Sequence, residues 1–179
     1  MALAYFRDMK VDYAIIEVGL GGRLDSTNII TPILSVITNI SKDHVQFLGD
    51  TLEAIASEKA GIIKPQIPVV IGEWNEETQP VFIQKAHEQN SPIHFALAAD
   101  ADINFELKGN YQKKNFGTIS AAVECLKEEG IEIKDQSIKN GFEHVCELTG
   151  LRGRWEKLNE HPLTICDTGH NLAGWEYLE

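Results

Sequence analysis

An acidic residue followed by a glycine-rich loop is the first feature of this sequence that could do chemistry. Glu17 stands near the end of the apolar run YAIIEV, and the loop GLGGRLDSTN follows directly. A carboxylate in an apolar layer must find a cation or hydrogen bonds, because burying it alone is very costly. The residue type therefore leaves two interpretations open, a structural ion pair with a neighbouring Lys or Arg, and a role with a metal ion or substrate.

Two further segments carry residue types that are common in active sites. His44, beside Asp43 in NISKDHVQFLG, follows the apolar run PILSVIT. It fits a metal ligand, a general base or a solvated loop residue. Lys59, in SEKAGIIK, falls in the last turn of a predicted helix, where the helix dipole alone already favours a lysine. Taken singly, each of these residues also fits a purely structural role.

The glycines complete neither of two common phosphate-binding motifs. Gly19 and Gly21 begin the pattern G-x-G-x-x-G, but Leu24 occupies the position of its third glycine. The pattern G-x-x-x-x-G-K-[ST] is absent from the 179 residues. The sequence therefore predicts no phosphate-cradling loop of either type within this chain.

Apolar runs that alternate with helical patterns predict the scaffold that positions these side chains. Such runs are typical of strands covered on both faces, and ligands bind at the carboxyl ends of strands in open α/β sheets. The predicted strands are residues 13–18, 32–37, 67–71, 92–95 and 163–166; the predicted helices are residues 1–6, 51–60, 76–88, 115–129 and 137–146. Asp50 and Glu53 resemble a capping box, and Gly61 is the expected stop of that helix. The pattern predicts an α/β fold, a three-layer, mostly parallel sheet flanked by helices.

The end of the chain differs in composition from the rest. Residues 147–162 mix charge with glycine without a clear period, which predicts a linker or domain boundary, and one strand and the start of a helix follow. We therefore expect residues 1–150 to form one domain and residues 151–179 to be a linker and the beginning of another. One strand and one helical turn cannot bury a core, and the opening helix MALAYF leads directly into a predicted central strand. We therefore expect both ends to have been cut from a longer protein.

Composition excludes several classes of protein. The 16 Lys and Arg against 27 Asp and Glu give a net charge of -11, which argues against a nucleic-acid or anionic-membrane binder. No run of about 18 apolar residues is present, and the charged N-terminus does not resemble a secretory signal, so we expect a cytoplasmic protein. The cysteines, Cys125, Cys146 and Cys166, are widely spaced and odd in number, which predicts free thiols.

Five segments together resemble the folylpolyglutamate synthases and bifunctional dihydrofolate synthases of the Mur ligase superfamily. They are DYAIIEVGLGGRLDSTN, SVITNISKDHVQFLGDTLEAIASEKAGIIK, GNYQKKNFGTISAAVECL, GRWE and DTGHN, in the same order as in the family. The resemblance implies a Mur ligase central domain, followed by the first strand of a Rossmann-like C-terminal domain. It implies ATP and Mg²⁺ as cofactors, and dihydropteroate or a folate plus L-glutamate as substrates, joined through an acyl phosphate by a monomeric parent enzyme.

The resemblance also implies roles for individual residues. Glu17 and His44 match magnesium ligands, although hard cations usually prefer oxygen to imidazole. Lys59 matches a lysine that is carbamylated, which turns a cationic amine into an anionic oxygen ligand for a second magnesium ion. The three are the implied catalytic and metal-binding residues. The residues implied to contact ATP are Gln112, Asn115, Arg154, Asp167 and His170.

This sequence departs from the family pattern at a few positions. Arg152 replaces a proline, and Thr168, Gly169 and Leu172 differ within the segment DTGHNL. The family's phosphate loop would precede Met1 and most of its C-terminal domain would follow Glu179, so we expect the chain alone to be inactive. Two alternatives are a Mur-type ligase for a cell-wall precursor and a non-catalytic module that binds folate or a partner. The loop GLGGRLDSTN favours the folate branch.

Overall fold

Three short parallel strands form the central sheet of the computed structural model, which describes residues 1–41, 45–97, 103–108 and 111–169. The strands are β1 (Ser35–Ile37), β2 (Val69–Ile71) and β3 (Ile93–Phe95), in the order β1-β2-β3. Val69 lies opposite Ser35 on one side and Ile93 on the other. Each of these strands was expected from its apolar run, so the parallel α/β sheet is confirmed.

The predicted helices are confirmed with shifted ends. The observed helices are α1 (Ala2–Met9), α2 (Val45–Leu48), α3 (Leu52–Ala60), α4 (Gln79–Gln89), α5 (Tyr111–Glu128), α6 (Asp135–Glu143) and α7 (Val145–Thr149), with a 3-10 helix at Ser26–Ile29. The short helix α2 and the 3-10 helix were not predicted, and the helix predicted over residues 137–146 is divided into α6 and α7. The cap of α3 is Thr51 rather than Asp50, because the Thr51 side chain accepts a hydrogen bond from the N–H of Ala54. Helix α5 begins a turn earlier than expected, which places Gln112 on the same helix as Asn115.

The core lies between the sheet and the helices α3 and α4. Ile37, Ala56, Ile71 and Phe82 are buried together in one apolar cluster. Val70 is also fully buried, and strand alternation points it to the opposite face. Helix α5 contacts β2. Helices thus cover both faces of the sheet, as the continuous apolar strands predicted.

The segment 13–18 is not the buried strand that its apolar run predicted. It has no regular secondary structure, and Ile15 is 98% and Tyr13 66% exposed. A strand needs a neighbour to satisfy its backbone N–H and C=O groups, and this segment pairs with no described strand. Its apolar side chains therefore lie at the surface in this structure.

Residues 147–162, predicted to be a linker or domain boundary, carry regular secondary structure at both ends. Helix α7 continues to Thr149, and β4 (Glu156–Glu160) pairs antiparallel with β5 (Leu163–Cys166). Strand β5 has the bounds that the sequence predicted, but it is mostly exposed rather than buried between helices. The hairpin is largely exposed, so the segment EKLNE buries no face and shows no clear apolar period. Its pairing with β5, rather than burial, gives it the strand conformation.

The described residues bear on the predictions about membrane-spanning segments and about the cysteines. None of their helices is both long and apolar enough to cross a membrane. Cys125, Cys146 and Cys166 are free thiols, as expected. Burial raises the pKa of the Cys125 and Cys146 thiols, so both stay protonated near neutral pH.

Candidate functional site

Asp25 organises the glycine-rich loop that follows Glu17. Its Oδ2 accepts hydrogen bonds from the backbone N–H groups of Gly19 at 3.1 Å and Leu20 at 3.0 Å. Its Oδ1 accepts from the Thr27 hydroxyl at 2.5 Å and the Thr27 N–H at 2.8 Å. These bonds, the Thr27 hydroxyl first, lower the pKa of Asp25 from 3.8 to about 2. The ionised carboxylate therefore fixes the shape of this loop.

The same loop is docked on the last turn of α3. The Arg23 guanidinium donates to Glu58 Oε1 from Nε at 3.1 Å and from Nη2 at 2.9 Å, and the Arg23 N–H donates to the Glu58 carbonyl at 2.8 Å. Asn28 Nδ2 donates to the carbonyls of Arg23 and Gly61, each at 3.1 Å. Lys64 Nζ donates to the Asn28 carbonyl at 2.8 Å. Side chains and backbone groups together hold the loop against the helix.

Two glycines allow the close approach of these backbones. A Cβ on Gly22 would lie 2.8 Å from the Glu58 carbonyl oxygen and 3.0 Å from that of Lys59. A Cβ on Gly61 would lie 2.4 Å from the Cβ of Arg23. Neither position has room for a side chain, which gives a packing reason for the glycines of GLGGR and KAG.

The docking brings two of the predicted site segments together. Glu17 precedes the loop by two residues; its side chain is exposed and forms no ion pair with another described residue. Lys59 is half-buried and lies next to Glu58, the helix residue that the loop contacts. His44 lies outside the described residues. The structural alternative for Glu17, a salt bridge to a neighbouring Lys or Arg, is therefore not observed within the described part of the chain.

The described donor atoms meet only part of what a magnesium ion requires. The described residues contain no group of three His, Cys, Asp or Glu side chains arranged to hold a metal. Glu17 has the oxygen donors that Mg²⁺ prefers, whereas a lysine amine becomes an oxygen ligand only after carbamylation. One exposed carboxylate fits a magnesium ligand, but the described residues alone do not complete a magnesium site.

The start of α5 packs at the carboxyl ends of β1 and β2. Lys114 Nζ lies 2.7 Å from a carboxylate oxygen of Glu73, which follows β2. A Cβ on Gly72 would lie 2.3 Å from the Thr38 carbonyl oxygen and 2.4 Å from Thr118 Oγ1. The helix is thus in direct contact with the edge of the sheet where ligands bind in α/β folds.

Two of the predicted nucleotide contacts lie on this first stretch of α5. Asn115 Nδ2 donates to Gln112 Oε1 at 3.1 Å, and both side chains are half-buried. The bond fixes the two amides relative to each other and leaves the Asn115 oxygen and the Gln112 NH₂ group to contact a ligand. The structure therefore brings together this pair of predicted residues.

Asp167 shapes the turn that carries Arg154. One of its carboxylate oxygens accepts from the Trp155 N–H and the other from the Gly169 N–H, both at 2.8 Å. Arg154 itself is exposed. Asp167 is thus bonded to the backbone of the residue that follows Arg154. His170 lies outside the described residues.

An ion pair also stabilises this turn. The Arg152 guanidinium binds the Glu156 carboxylate, which raises the pKa of Arg152 and lowers that of Glu156, and Glu156 also accepts from the Gly153 N–H at 2.7 Å. Arg152, which replaces the family's proline, therefore takes part in holding the turn. A cavity of about 260 Å³ beside it is lined in part by Arg154 and Trp155.

Comparison with known proteins places these segments in a family. Residues 1–138 match the family described as Mur ligase middle domain. The dihydrofolate synthase/folylpolyglutamate synthase of Bacillus subtilis is 36% identical over 99% of this chain and 46% of its own length. The chain thus spans about half the length of the curated relatives it matches.

Solved structures agree with this assignment. Escherichia coli FolC in complex with DHPP and ADP is 30% identical, with a TM-score of 0.81 over 99% of this chain and 44% of that one. A Mycobacterium tuberculosis folylpolyglutamate synthase, solved with ADP and AMPPCP, is 31% identical, with a TM-score of 0.84 over 99% of this chain and 45% of that one. The sheet, the docked glycine loop and these matches agree: the chain belongs to the Mur ligase family, which it matches through the middle domain.

Proposed function

We propose that the complete protein containing this chain is an ATP-dependent ligase that joins L-glutamate to dihydropteroate or a folate. The observation that carries this proposal is the docking of the loop after Glu17 on the helical turn of Lys59. Relatives named as dihydrofolate and folylpolyglutamate synthases support the substrate class. Complexes of similar proteins with ADP, AMPPCP, DHPP and folate support a nucleotide and a folate-class partner.

The proposed reaction has two steps. A carboxylate oxygen of the pterin substrate attacks the γ-phosphorus of ATP, and ADP leaves, giving an acyl phosphate. The amine of L-glutamate then attacks the acyl carbon, loses a proton, and expels phosphate to leave an amide. Because the first step brings two anions together, the site must offset their charge with cations and directed hydrogen bonds.

Glu17, His44 and a carbamylated Lys59 are the proposed magnesium ligands. The Glu17 carboxylate is exposed and lies in the segment that leads into the docked loop, which supports this role. When bound, magnesium would offset phosphate charge and orient the transferred group. The exposed carboxylate alone does not identify the metal, so the assignment of Mg²⁺ is part of the proposal.

The proposed ATP contacts divide into amide and charged groups. Gln112 and Asn115 offer hydrogen bonds from the start of α5. Arg154 offers a forked, permanently charged donor suited to phosphate. Asp167 uses both carboxylate oxygens on backbone N–H groups, so we assign it the shaping of the Arg154 turn. His170, which lies outside the described residues, is also a proposed ATP contact.

We propose that the middle domain covers residues 1–150 and that residues 151–179 link it to a further domain. The family match ends at residue 138, α7 ends at Thr149, and an exposed antiparallel hairpin follows. This change from a parallel α/β layer to an exposed hairpin supports a boundary near Gly150.

A substrate panel on the complete protein tests the proposed function. We expect glutamate-dependent ADP release with dihydropteroate, with tetrahydrofolate, or with both, and none with muramyl substrates. Turnover with muramyl substrates alone would favour a cell-wall ligase. Folate binding without any ADP release would favour a non-catalytic module.

A further inference from the structure

We propose that Arg23 is a positioning residue for Lys59, an inference that rests on the proposed function of Lys59. Arg23 contacts the residue beside Lys59 in two ways. Its guanidinium binds the Glu58 carboxylate through Nε and Nη2, and its N–H binds the Glu58 carbonyl. It therefore fixes both the backbone and the charge of the turn that carries Lys59.

The charge of Glu58 matters because of what Lys59 would become. In carbamylation the Lys59 Nζ lone pair forms a bond to the carbon of CO₂, one C=O electron pair moves to oxygen, and the nitrogen releases a proton to water. The product is an anion. An uncompensated Glu58 carboxylate one residue away would disfavour a second negative charge, by an amount that falls with distance and solvent exposure.

The Arg23 guanidinium compensates the charge of the Glu58 carboxylate at a site that is partly shielded from solvent. The Glu58 side chain is 24% exposed, and the Arg23 side chain is 57% exposed. The planar guanidinium holds one carboxylate oxygen with two donors, which a lysine cannot reproduce in the same geometry. The ion pair therefore neutralises the carboxylate of Glu58, the residue directly before Lys59 in α3.

The loop has other contacts that hold it in place without the Arg23 side chain. The Arg23 N–H still donates to the Glu58 carbonyl. Asn28 still donates to the carbonyls of Arg23 and Gly61, and none of these bonds uses the Arg23 side chain. Asp25 fixes the loop from within. The substitution Arg23→Gln is therefore expected to leave the fold intact and to change mainly the charge beside Lys59.

Carbamate formation at Lys59 provides a readout that does not depend on ligase turnover. The complete protein is titrated with ¹³C-labelled bicarbonate, and the carbamate signal is followed by NMR; a Lys59→Ala variant assigns the signal. We expect Arg23→Gln to raise the half-saturating bicarbonate concentration on the order of five- to tenfold. Arg7→Gln, which removes the exposed pair of Arg7 with Asp8 in α1, is the matched control and should leave it unchanged.

A double variant separates charge compensation from a general loss of structure. We expect Arg23→Gln combined with Glu58→Gln to recover most of the wild-type occupancy, because the uncompensated charge is then gone. The proposal is overturned if Arg23→Gln matches wild type, or if the double variant is as impaired as the single one. Absence of any Lys59 carbamate in the wild type also overturns it. Glutamate-dependent ADP release by the same wild-type preparation then decides separately whether the ligase function stands.

Discussion

Asp25 determines the local shape of the site although it is not among the predicted ligands. Its carboxylate accepts hydrogen bonds from residues on both sides of the loop, Gly19 and Leu20 before it and Thr27 after it. The sequence contains a signal for part of this arrangement, because an aspartate two residues before a threonine commonly forms a local turn. The bonds back to Gly19 and Leu20 depend on the path of the loop, which spacing does not reveal.

The lowered pKa of Asp25 predicts how the loop responds to acid. A depressed folded-state pKa means that the stabilisation is fully present above pH 3.8 and is lost as the pH falls through about 2. We expect the amide resonances of Gly19 and Leu20 to shift over this range in an NMR titration. Asp25→Asn should abolish that transition. A transition of equal size in the Asp25→Asn variant would show that another group causes it.

Gly61 tests the tight contact between the loop and α3. Its φ of -61° suits alanine, so the effect of Gly61→Ala comes from the Cβ placed 2.4 Å from Arg23 Cβ. We expect a loss of about 1–3 kcal/mol in the free energy of unfolding, measured by urea denaturation.

Gly141→Ala is the matched control for that substitution. Gly141 lies inside α6, and a Cβ at this position would meet no heavy atom within 4 Å beyond its own stretch of helix. Alanine should therefore stabilise the protein by about 0.5–1 kcal/mol. Equal effects at the two positions would contradict the close-packing explanation.

At the level of elements, the core between α3, α4 and the sheet holds the functional turn in place. Phe82 on α4 is fully buried in the same cluster as Ala56 and Ala60 of α3. The turn of Lys59 therefore rests on an apolar layer that packs against β1 and β2. Loss of that layer would release the site without altering any site residue.

Truncation of Phe82 tests this support. We expect Phe82→Ala to lower the free energy of unfolding by about 3–5 kcal/mol, because it leaves a cavity in the core. Ile83→Ala on the same helix removes a side chain that is 46% exposed. This substitution should change the free energy of unfolding by less than about 1 kcal/mol. Similar losses for the two variants in a denaturation experiment would argue against this core.

The elements also show what local sequence patterns can predict. The run that became β2 is fully buried, and those that became β1 and β3 are buried or half-buried, so their apolar character matched their environment. The run at residues 13–18 has the same character but no described strand beside it, and pairing cannot be read from one segment. The strand at Glu156–Glu160 escaped prediction for the opposite reason, since it pairs without burying a face.

The candidate site was predictable only in part, for a related physical reason. The order and spacing of the motifs identified Glu17 and Lys59, and the resemblance gave them roles. The contact of Arg23 with Glu58 joins residues 35 positions apart and appears only when the loop folds onto α3. Residues that position a functional side chain in this way leave little trace in local spacing.

At the scale of the whole molecule, the net charge of -11 is compatible with a nucleotide enzyme. The cations that matter are local: Arg23 and Lys64 hold the glycine loop, and Lys114 binds Glu73 at the start of α5. A basic surface is needed to bind a nucleic-acid backbone, whereas one nucleotide needs only a few directed groups. The proposed ligase function is consistent with this distribution.

Glutamate-dependent ADP release by the complete protein, compared between wild type and Lys59→Ala, tests the central claim most directly. We expect wild type to release ADP with dihydropteroate or tetrahydrofolate, and Lys59→Ala to lose at least about a hundredfold in kcat, as when a group that stabilises transition-state charge is removed. Lys85→Ala, which removes a half-buried cation of α4 that pairs with Glu88, should retain wild-type kcat. Normal turnover by Lys59→Ala, or no glutamate-dependent ADP release by wild type, would contradict the account.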